Sequence, residues 1–442
     1  MKRIALEAPE WLAKNAVYQI NPRTFSPEGT LEAVTRELPR LRELGFYIMY
    51  LCPIFEADPS EDRANWSTRQ KKYGTENPKN PYRMNDYFRI DEEYGSMEDL
   101  RAFIAAAHAL GMRVLLDLVY LHIGPNAPIL QRHPEFACQD AEGVIQNTQW
   151  FFPHLDFNSP GLREYLWCNM VYYIGELDAD GFRCDVGDQV PIDFWVEGRR
   201  RMQTIKPDSV LINEGRNWDT LLTGFDAIYH FAWHVCLYSV FAGEMTLDDL
   251  RRTACPEGFP QGGLLLRDID NHDTVTDWPQ RAEVLAGHDG MELIEVVNYL
   301  IDGIPMVYCG NELADTARVN MFANRFHMGV YEATDRRAVS DASLRRQALF
   351  RQLNALKRES ETLRRGATRW IANGAGASLL SFAREYGDQR IILIANFAAE
   401  PVTASVDADL TGRVLLSAGF EATEKGAVTL APRGYLVLEQ NA

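Results

Sequence analysis

"SMEDLRAFIAAAHALGMRVLLDLVY" occupies residues 96–120 and contains a complete helix-to-strand unit. Ser96 and Asp99 have the spacing of a capping box, and apolar residues then recur at helical spacing up to Gly111, where a helix is expected to end. Residues 113–120 follow as a nearly continuous apolar run, which is typical of a parallel strand covered on both faces. This stretch therefore predicts a helix that leads directly into a buried strand.

The same pattern recurs along most of the chain. Seven further strand candidates alternate with helical stretches, and they lie at residues 16–21, 46–55, 181–186, 209–214, 226–230, 264–270 and 304–310. Eight buried strands separated by helices predict an α/β fold, a (β/α)8 TIM barrel. Periodicity alone leaves a doubly wound open sheet as the alternative.

Two regions depart from this pattern. The connection between the third and fourth strands is too long and irregular for an ordinary loop, which predicts a short inserted domain over the barrel mouth at residues 122–175. After about residue 365, short strand-like runs separated by turn sequences predict a C-terminal antiparallel β-sandwich at residues 365–442. The catalytic barrel is then assigned to residues 1–121 and 176–364.

Composition narrows the possible partners. The net charge of -17 disfavours nucleic acid and anionic membranes, so a neutral ligand fits better. Seven scattered cysteines without CxxC or zinc-ligand spacing indicate free thiols in the cytoplasm, and the N-terminal stretch has no signal-peptide core. We expect no metal site, no cofactor and no membrane span, and the sequence leaves the oligomeric state open.

Charged side chains gather where the predicted strands end. They are Asp117, His122, Arg183, Asp185, Glu214, His272 and Asp273. In a barrel these ends surround the active site, which would bring the seven side chains together. Each residue alone is more often a helix cap or an ion-pair partner, but several independent strand ends favour a functional cluster.

Paired carboxylates in one cavity suit cleavage of a glycosidic bond. One carboxyl must stay protonated to act as the proton donor, whereas a nucleophile beside a guanidinium is expected to stay ionised. Arg183 therefore favours Asp185 as the nucleophile. Glu214 follows the apolar run "VLIN" and is the better candidate for the acid.

Four ordered motifs resemble those of the α-amylase family, glycoside hydrolase family 13. They are "DLVYLH" (117–122), "GFRCDV" (181–186), "INEG" (212–215) and "DNHD" (270–273), and residues 17–25, 85–100 and 155–166 are similar to flanking stretches of the family. The resemblance implies a retaining mechanism in which Asp185, Glu214 and Asp273 are catalytic. It further implies that Tyr82, His122, Arg183 and His272 bind substrate and that Asp117 is a structural acid.

Departures from the family pattern bear on specificity. Leu121 stands where many α-amylases have a calcium-binding Asn, and Asp188 and Gln189 replace a Lys-His pair. The stretch from Gly181 to Trp195 is closer to the neopullulanase and cyclomaltodextrinase form of the motif. Together with the short insertion, this favours short or cyclic α-glucans over raw starch granules. The expected reaction is cleavage of α-glucosidic bonds, most often α-1,4, in maltooligosaccharides or related short or cyclic α-glucans. Aromatic candidates for sugar platforms are Trp66, Trp150, Phe151, Phe152 and Trp218.

Several alternatives stay open at this level. Within the family, an α-1,6-glucosidase or a transglycosylase would use the same motifs. A catalytically inactive carbohydrate-binding or scaffold protein would resemble the amino-acid transporter heavy chains, but those lack the catalytic carboxylates and carry an anchor. A metal-dependent barrel enzyme could use Asp117, Asp185 and Glu214 as ligands.

Overall fold

A computed structural model gives the structure of the protein for residues 3–73, 77–322, 340–421 and 427–441. Up to residue 310, the described chain forms ten strands: β1 (Val17–Ile20), β2 (Ile48–Leu51), β3 (Phe55–Ala57), β4 (Met84–Ile90), β5 (Arg113–Leu118), β6 (Gly181–Cys184), β7 (Val210–Asn213), β8 (Ala227–Tyr229), β9 (Leu264–Arg267) and β10 (Ile304–Tyr308). All except β3 and β4 join into a closed parallel barrel in the order β1-β2-β5-β6-β7-β8-β9-β10. The predicted TIM barrel is confirmed, and each of the eight predicted strands contains one barrel strand.

Helices pack around this barrel and connect its strands. The described helices are α1 (Glu10–Ala13), α2 (Pro22–Phe25), α3 (Leu31–Glu43), α4 (Thr68–Lys72), α5 (Met97–Ala109), α6 (Pro128–Arg132), α7 (Pro160–Gly175), α8 (Ile192–Ile205), α9 (Phe231–Phe241), α10 (Leu247–Ala254), α11 (His272–Asp277), α12 (Ala282–Leu300), α13 (Asp341–Glu359) and α14 (Glu361–Arg365). Each of them is too short or too polar to cross a lipid bilayer.

The unit at residues 96–120 folds as its sequence predicts. The Ser96 hydroxyl accepts a hydrogen bond from the Asp99 N–H at 3.2 Å, and the Asp99 carboxylate accepts one from the Ser96 N–H at 2.8 Å. Helix α5 ends before Gly111, which has a φ of +71°, a conformation that costs other residues more. Strand β5 follows two residues later.

Side-chain alternation explains why apolar barrel strands carry charged residues. Successive residues of a strand point to opposite faces, so every second side chain of a barrel strand enters the barrel. The lower interior is filled by apolar side chains such as Val17, Leu115 and Ile212. Two residues after Leu115 on β5 lies Asp117, which is paired in register with Arg183 on β6. Polar groups therefore replace apolar ones towards the C-terminal end of the barrel.

Gly181 at the start of β6 is expected to tolerate no side chain. Its φ is +151°, and a Cβ at this position would lie 2.3 Å from the carbonyl oxygen of Val210 on the neighbouring strand. We expect Gly181→Ala to lower the free energy of unfolding by about 3 kcal/mol, because the rigid barrel strands must separate to admit the methyl group. Urea unfolding followed by circular dichroism measures this loss.

Gly111→Ala is the matched control for that substitution. Gly111 also has a positive φ, but nothing lies within 4 Å of the position of a Cβ. Only the backbone conformation is then penalised, by about 1 kcal/mol. Equal losses in the two variants would contradict the proposed steric conflict at Gly181.

Two connections rise above the C-terminal end of the barrel. Between β2 and α5, antiparallel strands β3 and β4 flank helix α4, an excursion that the sequence analysis did not anticipate. Between β5 and β6, residues 122–155 contain helix α6 and short bridges such as His122 to His154. Helix α7 then packs against α8, where the Trp167 indole donates to the Phe194 carbonyl at 3.0 Å.

The C-terminal region forms an antiparallel sheet. Its strands are β11 (Ala367–Trp370), β12 (Leu379–Tyr386), β13 (Gln389–Asn396), β14 (Val402–Ser405), β15 (Arg413–Glu421) and β16 (Ala427–Asn441). They run in the order β11-β12-β13-β16-β14, and β15 also pairs with β16. This confirms the predicted C-terminal antiparallel β domain, whereas the domain boundaries at residues 121, 175 and 364 stay predictions.

Candidate active site

A pocket opens at the C-terminal end of the barrel, where the strand-end residues are predicted to gather. Asp185 directly follows β6, Glu214 directly follows β7, and Asp273 lies in the first turn of α11. All three line this pocket together with Tyr82 and His122. Five of the eight predicted site residues therefore share one cavity wall, and Asp117, Arg183 and His272 contact it from beneath.

Arg183 holds three of the carboxylates together. Its Nη1 atom donates to Asp117 Oδ1 at 2.7 Å and to Asp185 Oδ1 at 3.0 Å. Its Nη2 atom lies 2.7 Å from Glu214 Oε1. Asp185 and Glu214 thus lie within the span of a single planar guanidinium group and face the same pocket.

The acidity of Asp185 differs from the expectation that a neighbouring guanidinium keeps it ionised. Burial raises the pKa of Asp185 well above its usual range, and the nearby Glu214, Asp117 and Asp273 carboxylates add to this against the opposing effect of Arg183. The pKa is raised despite the neighbouring guanidinium because that one guanidinium is shared by three carboxylates. A single positive charge cannot compensate all of them.

Glu214 carries the raised pKa that the sequence analysis assigned to it. Burial is the main cause, and Asp273 and Asp117 contribute, while Arg183 and the N–H of Val186 act in the opposite direction. Because Asp185 and Glu214 both have raised pKa values and lie in one cluster, they compete for the same protons. Burial and mutual repulsion therefore oppose simultaneous ionisation of the two carboxyl groups.

A strained residue connects Asp185 to Glu214. Val186 has a φ of +39°, which is unusual for a β-branched residue and costs conformational energy. In this conformation its N–H donates to Glu214 Oε2 at 2.8 Å. The strained backbone conformation of Val186 after β6 therefore supplies a hydrogen-bond donor that orients the Glu214 carboxylate after β7.

Asp188 stabilises the loop that begins with Glu214. Its Oδ1 accepts from the Asn213 side-chain amide at 2.7 Å, and its Oδ2 accepts from the N–H groups of Arg216 and Asn217, the latter at 2.8 Å. Asp188 is one of the two departures from the family motif noted above. Here it shapes the chain around Glu214 and does not line the pocket.

Asp273 has a different electrostatic environment from Asp185 and Glu214. Burial opposes its ionisation, but His272, Arg69 and Arg183 outweigh this and hold the pKa of Asp273 below its usual range. Arg69 contributes an ion pair of 2.8 Å to Asp273 Oδ1. The pocket therefore contains one carboxylate with a lowered pKa beside two with raised pKa values.

Tyr82 and His272 form a stacked pair at the base of the pocket. Their ring centroids are 5.6 Å apart, and the Tyr82 hydroxyl lies 2.5 Å from His272 Nε2. Gln19 contacts the other ring nitrogen of His272 at 2.9 Å. Burial lowers the pKa of His272 to about 4, so its imidazole is neutral at pH 7.

His122 and Asp117 are fixed by contacts of their own. His122 Nε2 lies 2.9 Å from the Tyr82 carbonyl oxygen, and burial lowers the pKa of His122 to about 4. Asp117 accepts from the Tyr50 hydroxyl at 2.6 Å in addition to Arg183. Asp117 is fully buried, consistent with a role in orienting its neighbours.

The predicted aromatic platforms separate into two groups. Trp150 and Phe152 line the pocket, where both rings pack against His122. Trp66 is buried and donates to the Ser60 carbonyl at 2.9 Å, and Trp218 packs against Phe259. Phe151 is exposed outside the pocket lining. Neighbouring sequence positions thus have different environments, which depend on loop geometry.

Further pocket residues were missing from the sequence analysis. They are Ser67, Arg69, Asn80, Val186, Met321 and Phe322. Most of them lie in connections with no strand-end signal, so their sequence gave no indication that they reach the pocket. Arg69 could have been suspected only from the excursion between β2 and α5, which was itself not anticipated.

No metal site is evident in the part of the chain that the structure describes. There, no group of three or more His, Cys, Asp or Glu side chains is arranged to hold an ion. Asp117, Asp185 and Glu214, which could have served as ligands, converge on the Arg183 guanidinium. The position between these carboxylates is therefore taken by an organic cation.

Comparisons with known proteins agree with the motifs. Residues 13–152 match the model of the α-amylase catalytic domain. A cyclomaltodextrinase from Geobacillus thermopakistaniensis is 25% identical over 492 residues, which cover 98% of this chain and 78% of that protein. The chain is therefore similar in sequence to proteins of the α-amylase family of glycoside hydrolases. A family relative, neopullulanase 2 from Thermoactinomyces vulgaris, is 26% identical over 91% of this chain and 73% of its own.

Structural comparison supports the same fold over nearly the whole chain. A maltogenic α-amylase from Thermotoga neapolitana superimposes with a TM-score of 0.79 at 22% identity, covering 98% of this chain and 99% of that one. The matched region of the family model includes Tyr82, Asp117 and His122. Asp185, Glu214 and Asp273 follow that region, so their geometry comes from the structure described above.

Arg183 is expected to be needed for stability as well as for the pocket. We expect Arg183→Met to lower the free energy of unfolding by about 3–5 kcal/mol at pH 7.5, since it leaves three buried carboxylates without their cation. The pKa values of Asp117, Asp185 and Glu214 are already raised in the folded protein and would rise further. Protonation then favours the folded state, so the loss should shrink as the pH falls to 5.

Urea unfolding of the native protein and the variant at pH 5 and pH 7.5 tests this expectation. Arg183→Lys is the matched variant, because it keeps the charge but cannot contact three carboxylates at once. Its free energy of unfolding should lie between that of the native protein and that of Arg183→Met. If Arg183→Met lost the same free energy of unfolding at both pH values, this would contradict the proposal that Arg183 compensates the charges of three carboxylates.

Proposed function

We propose that the protein is a retaining glycoside hydrolase that cleaves α-1,4 bonds in maltooligosaccharides or related short or cyclic α-glucans. The observation that carries the proposal is the arrangement of Asp185 and Glu214 around Arg183. Two carboxylates with raised pKa values face one pocket, next to a third whose pKa is lowered. Retaining glycosidases use such a pair as nucleophile and proton donor.

In the first step, Asp185 is the nucleophile and Glu214 is the general acid. An oxygen of Asp185 attacks the anomeric carbon, and the bond to the leaving oxygen breaks as Glu214 transfers its proton to that oxygen. The raised pKa of Glu214 supports the acid role, because the carboxyl must keep its proton near neutral pH. The products are a covalent glycosyl ester on Asp185 and the released sugar.

In the second step, Glu214 acts as the base. The ionised carboxylate takes a proton from water while the water oxygen attacks the anomeric carbon and breaks the ester to Asp185. Two inversions give net retention, and Glu214 regains its proton. The Val186 N–H and Arg183, which contact Glu214, stabilise the carboxylate form between the two steps.

The remaining residues bind and orient the sugar in this proposal. Asp273 accepts hydrogen bonds from ring hydroxyls and supports the distorted transition state, and Tyr82 stacks against the ring. His122 and His272 are neutral and act as hydrogen-bonding groups. Arg183 contacts the catalytic carboxylates from beneath, and Asp117 holds Arg183 in place.

The preference for short or cyclic substrates rests on the motif around Asp185 and on the names of the relatives. The residues available to line the leaving-group side lack the Lys-His pair, and Asp188 is engaged by the loop after Glu214. We also propose a cytoplasmic location, since all seven cysteines are free thiols and four of them are buried.

A product analysis tests the proposed function. The purified protein is incubated with maltotriose, β-cyclodextrin, pullulan, isomaltose and sucrose, and the anomeric form of the first product is followed by NMR. We expect cleavage of maltotriose or β-cyclodextrin with an initial α-anomeric product. An initial β-anomer would exclude the retaining mechanism.

The same experiment separates the alternatives. Longer oligosaccharides formed from maltotriose would indicate a transglycosylase, and cleavage of isomaltose alone would indicate an α-1,6-glucosidase. No turnover on any substrate would favour the inactive binding or scaffold protein. Activity that is lost on dialysis against EDTA and restored by a divalent cation would favour the metal-dependent alternative.

A further inference from the structure

Arg69 reaches the pocket from outside the barrel. It belongs to the short helix α4, which lies between β3 and β4 in the excursion that follows β2. Its side chain lines the pocket beside Asp273 and is about one-third exposed. No motif or strand-end signal in the sequence points to this residue.

The Arg69 guanidinium joins two carboxylates of helix α11. Its Nη2 atom lies 2.8 Å from Asp273 Oδ1 and 3.1 Å from Asp277 Oδ2, and its Nε atom donates to Asp277 Oδ1 at 3.1 Å. Asp273 and Asp277 are one helical turn apart, so both point to the same side of α11. Arg69 therefore fixes α4 onto α11 at the point where α11 enters the pocket.

Asp273 needs such a partner because of its surroundings. Its carboxylate is partly exposed and lies near Asp185 and Glu214, whose negative charges would repel it. Arg183 is engaged with three other carboxylates beneath the pocket. Arg69 is thus the cation that contacts Asp273 directly among the described residues.

We propose that Arg69 is a positioning residue that orients the Asp273 carboxylate into the pocket and so couples the docking of α4 to substrate binding. This inference rests on the proposed function, because it assigns Asp273 to the sugar. Arg69 acts through Asp273, and its guanidinium takes no part in bond making or breaking. The excursion between β2 and α5 then becomes part of the substrate-binding structure.

Arg69→Ala is expected to lower kcat/KM on maltotriose by about 100-fold, the scale of loss that a misplaced catalytic group produces. Asp277→Asn is the matched control, since it removes the other half of the bridge while Asp277 stays outside the pocket lining. It should change kcat/KM by less than about threefold if Asp273 is the relevant partner. Equal losses in the two variants would reduce Arg69 to a structural link and overturn the proposal.

Chemical rescue separates a missing cation from a damaged fold. Guanidinium ions added to Arg69→Ala are expected to restore part of the lost activity, because they can occupy the position left by the side chain beside Asp273. Urea has nearly the same shape without the charge and should restore none. Rescue by both compounds, or by neither, would contradict a charge-based role for Arg69.

Binding gives a readout without turnover. Maltotriose affinity is measured by isothermal titration calorimetry in the Asp185→Asn variant. Adding Arg69→Ala to this variant is expected to weaken the affinity about tenfold. Adding Asp277→Asn is expected to leave the affinity unchanged. Unchanged affinity in the Arg69→Ala double variant would overturn this inference alone. A native protein that cleaves no α-glucan would overturn the proposed function as well, so the two failures are distinguishable.

Discussion

Asp185→Asn is expected to lose kcat on maltotriose by about 10⁴-fold or more, as removal of a nucleophile does in other enzymes that use covalent intermediates. Asn is nearly isosteric and can still accept the hydrogen bond from Arg183 Nη1 that Asp185 accepts at 3.0 Å. It also removes one of the negative charges that compete in the cluster. The fold should therefore persist, and circular dichroism and the urea midpoint serve as controls.

Azide rescue identifies the role of Asp185 and not only its importance. In Asp185→Gly, azide can enter the space of the missing carboxylate and attack the anomeric carbon of an activated α-glucosyl substrate from the same face. One displacement inverts the centre, so the expected product is a β-glucosyl azide, which NMR distinguishes from the α-anomer. This assignment matters because Asp185 and Glu214 both have raised pKa values, and acidity alone does not separate their roles.

Two outcomes would contradict the assignment of Asp185. Near-native turnover of Asp185→Asn would show that this carboxylate is not the nucleophile. An α-glucosyl azide from Asp185→Gly would mean that a covalent intermediate still forms on another residue. In either case, a different carboxylate of the same pocket would have to be the nucleophile.

Glu214→Gln is expected to lose activity to an extent that depends on whether the leaving group needs a proton. On maltotriose, whose leaving hydroxyl needs a proton, we expect kcat/KM to fall by about 10³-fold. On α-glucosyl fluoride the loss should be much smaller, because fluoride departs without a proton. The ratio of the two losses, measured on the same protein preparation, reports the acid role directly.

Azide gives the opposite stereochemistry at this position. In Glu214→Ala, azide attacks the glycosyl ester on Asp185 in place of activated water, so two inversions produce an α-glucosyl azide. The pair of variants thus yields opposite anomers if the roles are assigned correctly. Equal losses on both substrates, or a β-azide from Glu214→Ala, would mean that Glu214 is not the acid and base.

The raised pKa values of Asp117, Asp185 and Glu214 have a simple physical origin. Asp117, Asp185 and Glu214 share the Arg183 guanidinium in a buried environment, where uncompensated charge is costly. In the sequence, Arg183 lies two residues from Asp185, which predicts an ion pair between these two residues alone. It does not show that Asp117 and Glu214 approach the same guanidinium from neighbouring strands.

The fold was largely predictable because it depends on local patterns. Helical spacing ending in glycine, followed by an apolar run, recurs often enough to predict alternating helices and buried parallel strands, as residues 96–120 illustrate. The strand-end residues Asp117, Asp185 and Glu214 then follow from a general property of barrels. The excursion around α4 was missed because β3 has only three residues and the helix has only five.

The sequence by itself determined the alternation of helices and buried strands, the C-terminal antiparallel domain and the identity of the carboxylates at strand ends. These features follow from local periodicity, because alternation along a strand decides which side chains share a face. Only the tertiary structure decided how those charges share partners and which loop residues join them. The strained turn at Val186, the shared Arg183 and the approach of Arg69 to Asp273 arise from contacts between segments far apart in the chain. Electrostatic energy depends on such distances in space, and sequence spacing does not report them.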